Sequence, residues 1–217
     1  MKQPIIERTR VKICGISDVD TAQYVINAGA DAIGLVFYPP SPRYVSIGMA
    51  ARIVTSLSPF VTSVGLFVNA TKQEIETVLG SVPLALLQFH GDEDESFCHS
   101  FGLPYLKAVR VKEDTDLKKV VAQFSSAAGL LLDTYHKDNY GGTGESFDWS
   151  IIPPNLSLPV VLAGGLNPQN VTNAINTVCP YAVDVSSGVE SDKGVKSPTK
   201  ISAFMRGVKE ADVAKER

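Results

Sequence analysis

The chain has 217 residues, 44% of them hydrophobic, with a net charge of −3 and a pI of about 5.6. That is enough apolar material for one sizeable core, and it leaves no basic footprint for nucleic acid. No apolar run approaches the roughly 18 residues that a membrane span requires, Met1 to Arg10 lacks the apolar stretch of a signal peptide, and Cys14, Cys98 and Cys179, with no CxxC, point to a reducing cytoplasm.

Strand-like and helix-like segments alternate along the chain. Val11 to Cys14 reads as a first strand. Asp18 then caps a helix carrying Val19, Ala22, Val25 and Ile26, which ends at Gly29. Ala32 to Phe37 is a second strand, and Ser46 opens a helix to about Leu57. Val61 to Val68 is a third strand, with Thr71 capping the next helix. Leu84 to Phe89 and a helix from about Glu93 follow, then Tyr105 to Val109 with a helix over Asp114 to Phe124. Gly129 to Leu132 is the sixth strand, and a long loop runs from it to Trp149. Val160 to Leu162 precedes a helix near Pro168. Ala182 to Val185 precedes a helix begun by Ser197 and Pro198. Eight short, nearly all-apolar strands, mostly followed by helices, predict a parallel sheet covered on both faces. We expect α/β architecture, a single (β/α)8 TIM barrel over residues 1–217, with 211–217 as a frayed tail. A doubly wound open sheet is the alternative.

Two glycine-bearing turns near the end of the chain carry the strongest functional signal. Leu162-Ala163-Gly164-Gly165-Leu166 and Asp184-Val185-Ser186-Ser187-Gly188-Val189-Glu190 each run from a strand toward a helix-like segment. Such turns offer free backbone N–H groups, which bind phosphate. In a (β/α)8 barrel the loops after strands 7 and 8 often form a phosphate site. Gly164, Gly165, Ser186, Ser187 and Gly188 are the expected phosphate-binding residues, and a small phosphorylated molecule the expected partner.

Polar residues at strand ends are the next signal, since barrel chemistry sits at the C-terminal face. Period-2 alternation puts Lys12 and Cys14 on one face of strand 1, Gln88 and His90 on one face of strand 4, and Asp184 and Ser186 on one face of strand 8. Asp133 ends strand 6. A carboxylic acid and a thiol on converging strands suit an acid/base pair. The plain alternatives are that Cys14 packs, that Asp133 caps a loop, and that His90 is a satisfied rim residue. Cys98 and Cys179 read as packing residues. His99 and His136 read as solvated. His90 with Asp92, Glu93 and Asp94 lacks metal-ligand spacing, so no metal site is expected. The acidic run Asp92 to Glu95 favours a helix N-terminus. Gly141-Gly142-Thr143-Gly144 lacks the Lys-Ser/Thr of a Walker loop and reads as a flexible loop or a flap over the site. Lys12 and Asp184 both face inward on neighbouring strands, and buried charges need partners, so an interior ion pair beneath Cys14 is expected.

In order along the chain stand Lys12-Ile13-Cys14-Gly15, Ser41-Pro42-Arg43, Val64-Gly65-Leu66-Phe67-Val68-Asn69, Gln88-Phe89-His90-Gly91, Leu132-Asp133, Gly141-Gly142-Thr143-Gly144 with Phe147-Asp148-Trp149, and the two glycine turns. On these residues the chain closely resembles the phosphoribosylanthranilate isomerases of tryptophan biosynthesis, over nearly its whole length. The resemblance implies a barrel enzyme without metal or organic cofactor. It implies that Cys14 is the general base, that Asp133 is the general acid, and that Arg43 pairs with the anthranilate carboxylate. Gln88 and His90 join Arg43 as candidate substrate-binding residues. Many members have Lys-Asp before the last helix, where this chain has Lys196-Ser197; both Asp and Ser cap helices well. The implied reaction is an Amadori rearrangement of an aminoaldose to an aminoketose. For that, Asp133 needs partial desolvation and the Cys14 thiolate needs a cation, either Lys12 or the iminium of the intermediate. The alternatives are a sister phosphate-binding barrel such as indoleglycerol-phosphate synthase, which lacks the strand 1 cysteine, and a phosphate-binding barrel without chemistry. Monomer and homodimer both stay open.

Overall fold

A computed structural model describes residues 8–134 and 148–215. Eight parallel strands close into one barrel in chain order. They are β1 Arg10–Cys14, β2 Ala32–Val36, β3 Thr62–Phe67, β4 Leu86–Phe89, β5 Tyr105–Val111, β6 Gly129–Thr134, β7 Val160–Leu162 and β8 Ala182–Val185. β1 closes the ring by pairing with both β2 and β8, through Lys12↔Ala32, Cys14↔Gly34 and Lys12↔Asp184. The open-sheet alternative is thereby excluded.

Among the described residues seven α-helices accompany the strands: α1 Val19–Asn27, α2 Ile47–Thr55, α3 Lys72–Leu79, α4 Glu95–His99, α5 Leu117–Gln123, α6 Val171–Val178 and α7 Pro198–Lys215. Local chemistry sets their starts. The side chains of Asp18, Ser46 and Thr71 accept from backbone N–H groups of the first turns, and Thr71 with Glu74 forms a reciprocal capping box. Past β6 the described residues hold only a 3₁₀ turn, Trp149–Ile151. After β8 comes a second 3₁₀ turn, Ser187–Val189, and then a small antiparallel hairpin of β9 Glu190–Asp192 and β10 Val195–Lys196.

Outward-facing strand residues such as Ile13, Ile33, Phe67, Phe89, Leu130 and Val183 are fully buried against Val25, Ile53, Ile75, Ile175 and Phe204 of the helices. Each such side chain contributes roughly 1.5–3 kcal/mol by leaving water. The lower barrel interior is apolar, with Leu106, Ala108, Leu131, Val161 and Ala182 in one cluster. Polar side chains gather above it at the strand C-termini.

Several expectations need correction. α5 begins at Leu117 under the Asp116 cap, not at Asp114, because Asp116 accepts from Lys118 N and Lys119 N. Glu93 is not part of a helix N-terminus: Asp94 caps α4, and Glu93 turns inward to Lys107 at 2.9 Å. Cys179 does not pack; it is exposed at the left-handed C-cap of α6, φ 48°. Of the expected tail 211–217, residues through Lys215 belong to α7, and the rest lies outside the described residues. Ala211 is fully buried in α7, and the carboxylate of Asp212 accepts from Thr9 N and Thr9 Oγ1 at 2.9 and 2.7 Å. His136, the run Gly141-Gly142-Thr143-Gly144 and Phe147 lie outside the described residues.

Candidate active site

At the C-terminal mouth lies a cavity of about 550 Å³, lined among others by Cys14, Arg43, Gln88, His90, Asp133 and Asp184. Gly164, Gly165, Ser186 and Ser187 line it too. The expected site residues therefore converge on one space from the ends of β1, β2, β4, β6, β7 and β8, except Gly188, which lies next to the lining residue Ser187 and does not itself line the cavity.

Strand 1 presents both inward residues as alternation requires. Cys14 is 5% exposed and Lys12 4%. Lys12 Nζ donates to Asp184 Oδ1 at 2.9 Å, so the expected interior pair is present. The thiol needs room that its neighbour supplies: a Cβ on Gly34, its cross-strand partner, would lie 2.6 Å from Cys14 Sγ. Burial pushes the Cys14 thiol above its ordinary pKa; Lys12 opposes this, Asp184 adds to it, and Lys196 opposes it. Lys12 pulls in the expected direction but does not prevail, so resting Cys14 is a thiol. Burial also works against the Lys12 ammonium, yet Asp184 and Cys14 outweigh it and leave its pKa raised.

Across the mouth, Gln88 Nε2 meets His90 Nδ1 at 3.1 Å, and His90 Nε2 meets Asp133 Oδ2 at 3.1 Å. All three are buried. When the amide N–H donates to Nδ1, the Nε2 side of the ring is the one that donates to Asp133. A second network holds the loop under His90. Glu93 accepts from Gly91 N at 3.0 Å, Asn69 N at 2.8 Å and Lys107 Nζ at 2.9 Å, and Lys107 also donates to the carbonyl of Gly91 at 2.8 Å.

At the third side are the glycine turns. Gly164 and Gly165 have φ of 80° and 65°, a left-handed run that L side chains resist. Asn170 Nδ2 and Asn167 Nδ2 both donate to the Gly165 carbonyl, at 2.9 and 3.2 Å, and fix the turn. A Cβ on Gly188 would meet the Leu166 carbonyl oxygen at 1.8 Å, so only glycine lets the two turns meet. Among the described residues, the N–H groups of Gly164, Gly165, Ser187 and Gly188 reach no backbone carbonyl. They are open donors beside the cavity, the arrangement that suits a phosphate.

A sequence model of N-(5′-phosphoribosyl)anthranilate (PRA) isomerase matches residues 11–207. The chain belongs to the N-(5′-phosphoribosyl)anthranilate isomerase family. A relative of that name from Pseudomonas fluorescens (strain SBW25) is 55% identical over 205 residues, covering 94% of this chain and 98% of its own. The crystal structure of the isomerase from Thermotoga maritima has a TM-score of 0.85 at 41% identity, over 93% of this chain and 99% of that one. A family structure solved with reduced 1-(o-carboxyphenylamino)-1-deoxyribulose 5-phosphate has a TM-score of 0.81 at 40% identity, over 93% of this chain and 99% of that one.

For a phosphoribosylanthranilate isomerase, the sequence reading left out a third set of charges. Arg43 does not stand free after β2. Its Nε and Nη2 donate to the two carboxylate oxygens of Glu190 at 2.7 and 2.8 Å. Lys196 Nζ donates to Glu190 Oε1 at 2.7 Å and to the Ser186 carbonyl at 3.1 Å. Burial opposes the Glu190 charge, but Arg43, Lys196 and the Gly194 N–H bring its pKa down to about 2. Lys196 is buried deeply enough that its pKa is lowered despite Glu190. Glu190 was read only as the end of the phosphate turn and Lys196 only as the neighbour of a helix cap. The hairpin that joins them is three residues on one side and two on the other, too short for any periodicity to reveal.

Proposed function

We propose that this mouth carries an Amadori rearrangement with Cys14 as general base and Asp133 as general acid. The chain is an isomerase of L-tryptophan biosynthesis, converting N-(5-phosphoribosyl)anthranilate into 1-(2-carboxyphenylamino)-1-deoxyribulose 5-phosphate. The observation that carries the residue roles is the shared cavity: a buried thiol and a buried carboxylic acid line one space, with two open-donor glycine turns on its wall.

Asp133 protonates the ring oxygen as the C1′–O bond breaks, leaving an iminium between nitrogen and C1′. The iminium acidifies the C2′ proton. Cys14 as thiolate takes that proton and returns one to C1′ of the resulting enolamine, while the C2′ hydroxyl gives its proton to the Asp133 carboxylate as the ketone forms, which restores both groups. No oxidant or reductant is needed. Burial raises the Cys14 pKa, so the thiolate is favoured when the cationic intermediate stands beside it and the thiol proton has passed to solvent at the mouth. Gln88 and His90 hold Asp133 in place. Gln88 Oε1 is buried and has no partner among the described residues. Turning the amide brings that oxygen onto Nδ1–H and lets Nε2 accept the proton of a carboxyl group. Asp133 is thus supported both as an acid and as its conjugate base. Gly164, Gly165, Ser186, Ser187 and Gly188 hold the phosphate, and this remote anchorage orients the reacting carbons.

The three free cysteines among the described residues support a reducing cytoplasm as the location. No helix among those residues is long and apolar enough to cross a membrane.

The test is a fluorescence assay on purified protein. Anthranilate fluorescence falls as the aminoaldose is consumed, and no carbon dioxide is released. Release of carbon dioxide from the same substrate, or no consumption at all, overturns the assignment.

A further inference from the structure

The Arg43–Glu190–Lys196 trio has a geometry that a structural ion pair does not need. Glu190 is saturated: Oε1 accepts from Arg43 Nε and Lys196 Nζ, and Oε2 from Arg43 Nη2 and Gly194 N. The fork grips Arg43 from its side, through Nε and one Nη2 proton. A guanidinium has five N–H donors, so among the described residues its end, with both Nη1 protons and the second Nη2 proton, is left over. That end is the edge that takes a second carboxylate with two parallel hydrogen bonds. Arg43 also lines the cavity, and its stem lies against Gly15, where a Cβ would meet Arg43 Cδ at 2.7 Å. The stem is thereby held against the residue that follows Cys14, at the cavity wall.

Charge points the same way. Lys12 and Asp184 cancel. Arg43, Lys196 and Glu190 sum to one positive charge in surplus. Glu190 is 6% exposed, and the side chains of Arg43 and Lys196 are 12% and 2% exposed. A buried surplus charge is costly unless an anion answers it. Lys196 spends its donors on Glu190 and on the carbonyl and hydroxyl of Ser186 in the second phosphate turn, and that turn meets its anion with backbone N–H groups, so the free edge of Arg43 is the part of the trio left for another anion.

We propose that Glu190 and Lys196 are positioning residues for recognition of the aromatic carboxylate. Glu190 turns the end of Arg43 into the cavity. Lys196 neutralises Glu190, so that Arg43 keeps its full charge for the ligand. The hairpin β9–β10 is then part of the specificity machinery and not a mere link to α7. This rests on the reading that Arg43 binds the substrate carboxylate.

The experiment compares two probes by calorimetry: the reduced product analogue with its aromatic carboxylate, and the N-phenyl counterpart lacking it. Glu190→Gln and Lys196→Gln are each expected to weaken the carboxylate-bearing probe about 10-fold or more, the scale of one lost charge-assisted bond, and to leave the N-phenyl probe unmoved. In turnover the loss appears chiefly in KM. Equal weakening of both probes, or of neither, overturns the proposal. If Glu190→Gln does not fold, Lys196→Gln decides alone. Arg43→Ala separates the two layers. If it leaves the difference between the probes intact, the carboxylate reading of Arg43 fails. If it abolishes the difference while both Gln variants retain it, only the positioning roles fail.

Discussion

The two sides of the mouth hold their reactive groups by opposite means. The side of the proposed base, where β1 and β8 meet, is built from full charges: Lys12 against Asp184 beneath Cys14, and Arg43 and Lys196 against Glu190. The side of the proposed acid, from β4 to β6, positions Asp133 through a side-chain amide and an imidazole. Charges fix a field, while an amide–imidazole chain fixes a position and leaves the direction of its protons free to reverse. The first suits the proposed base, a thiol that gives up its proton beside a cation. The second suits the proposed acid, which gives a proton and takes one back.

The contrast breaks most severely at Asp184. Asp184→Ala leaves Lys12 buried and unpaired, and we expect a loss of about 3–5 kcal/mol of stability, read by urea unfolding. A variant as stable as the parent would mean that water or another group serves Lys12. Next come the reactive groups. Cys14→Ala and Asp133→Ala should each lower turnover by at least about 10²-fold while the fold persists. Near-parental turnover in either removes that residue from the chemistry.

A smaller effect sharpens the account of the field. Lys12→Met removes a cation that opposes the raised Cys14 pKa and should carry the ascending limb of the kcat/KM–pH profile upward in pH. Adding Asp184→Asn removes the opposing anion and should reverse part of that shift. No movement in either profile would mean that burial alone governs the thiol.

The smallest effect concerns Glu190. Its carboxyl has a lowered pKa, about 2 in the fold against an ordinary 4.5. Its contribution to stability is therefore complete above pH 4.5 and is lost as the pH falls toward 2. The stability gap between the parent and Glu190→Gln should narrow across that window. A constant gap would show that Glu190 acts by shape and not by charge.

Much of this was legible before any coordinates. Alternation placed Lys12, Cys14, Gln88, His90 and Asp184 on the inner face, because a barrel strand has only two faces. Asp18, Ser46 and Thr71 marked helix starts, because their short side chains satisfy nearby backbone donors. The illegible parts depend on partners. Gly34 matters only through its register with Cys14. His90 reaches Asp133 from β4 to β6, across one intervening strand that no local pattern spans. Burial of Cys14 outweighs Lys12, a balance that depends on how deeply the thiol sits.

The ring closure between β1 and β8 also has a consequence for how the enzyme comes into being. His90 and Asp133 lie 43 positions apart in the chain, whereas Lys12 and Asp184 lie 172 apart and Arg43 and Glu190 lie 147 apart. As a ribosome releases the chain from its N-terminal end, the donors and acceptors of the acid side emerge close together. Lys12, Cys14 and Arg43 wait for their counter-ions until nearly the whole barrel has left the exit tunnel. Contacts of such long range are slow to form. The charges around the thiol are thus assembled last, by the same event that seals the barrel.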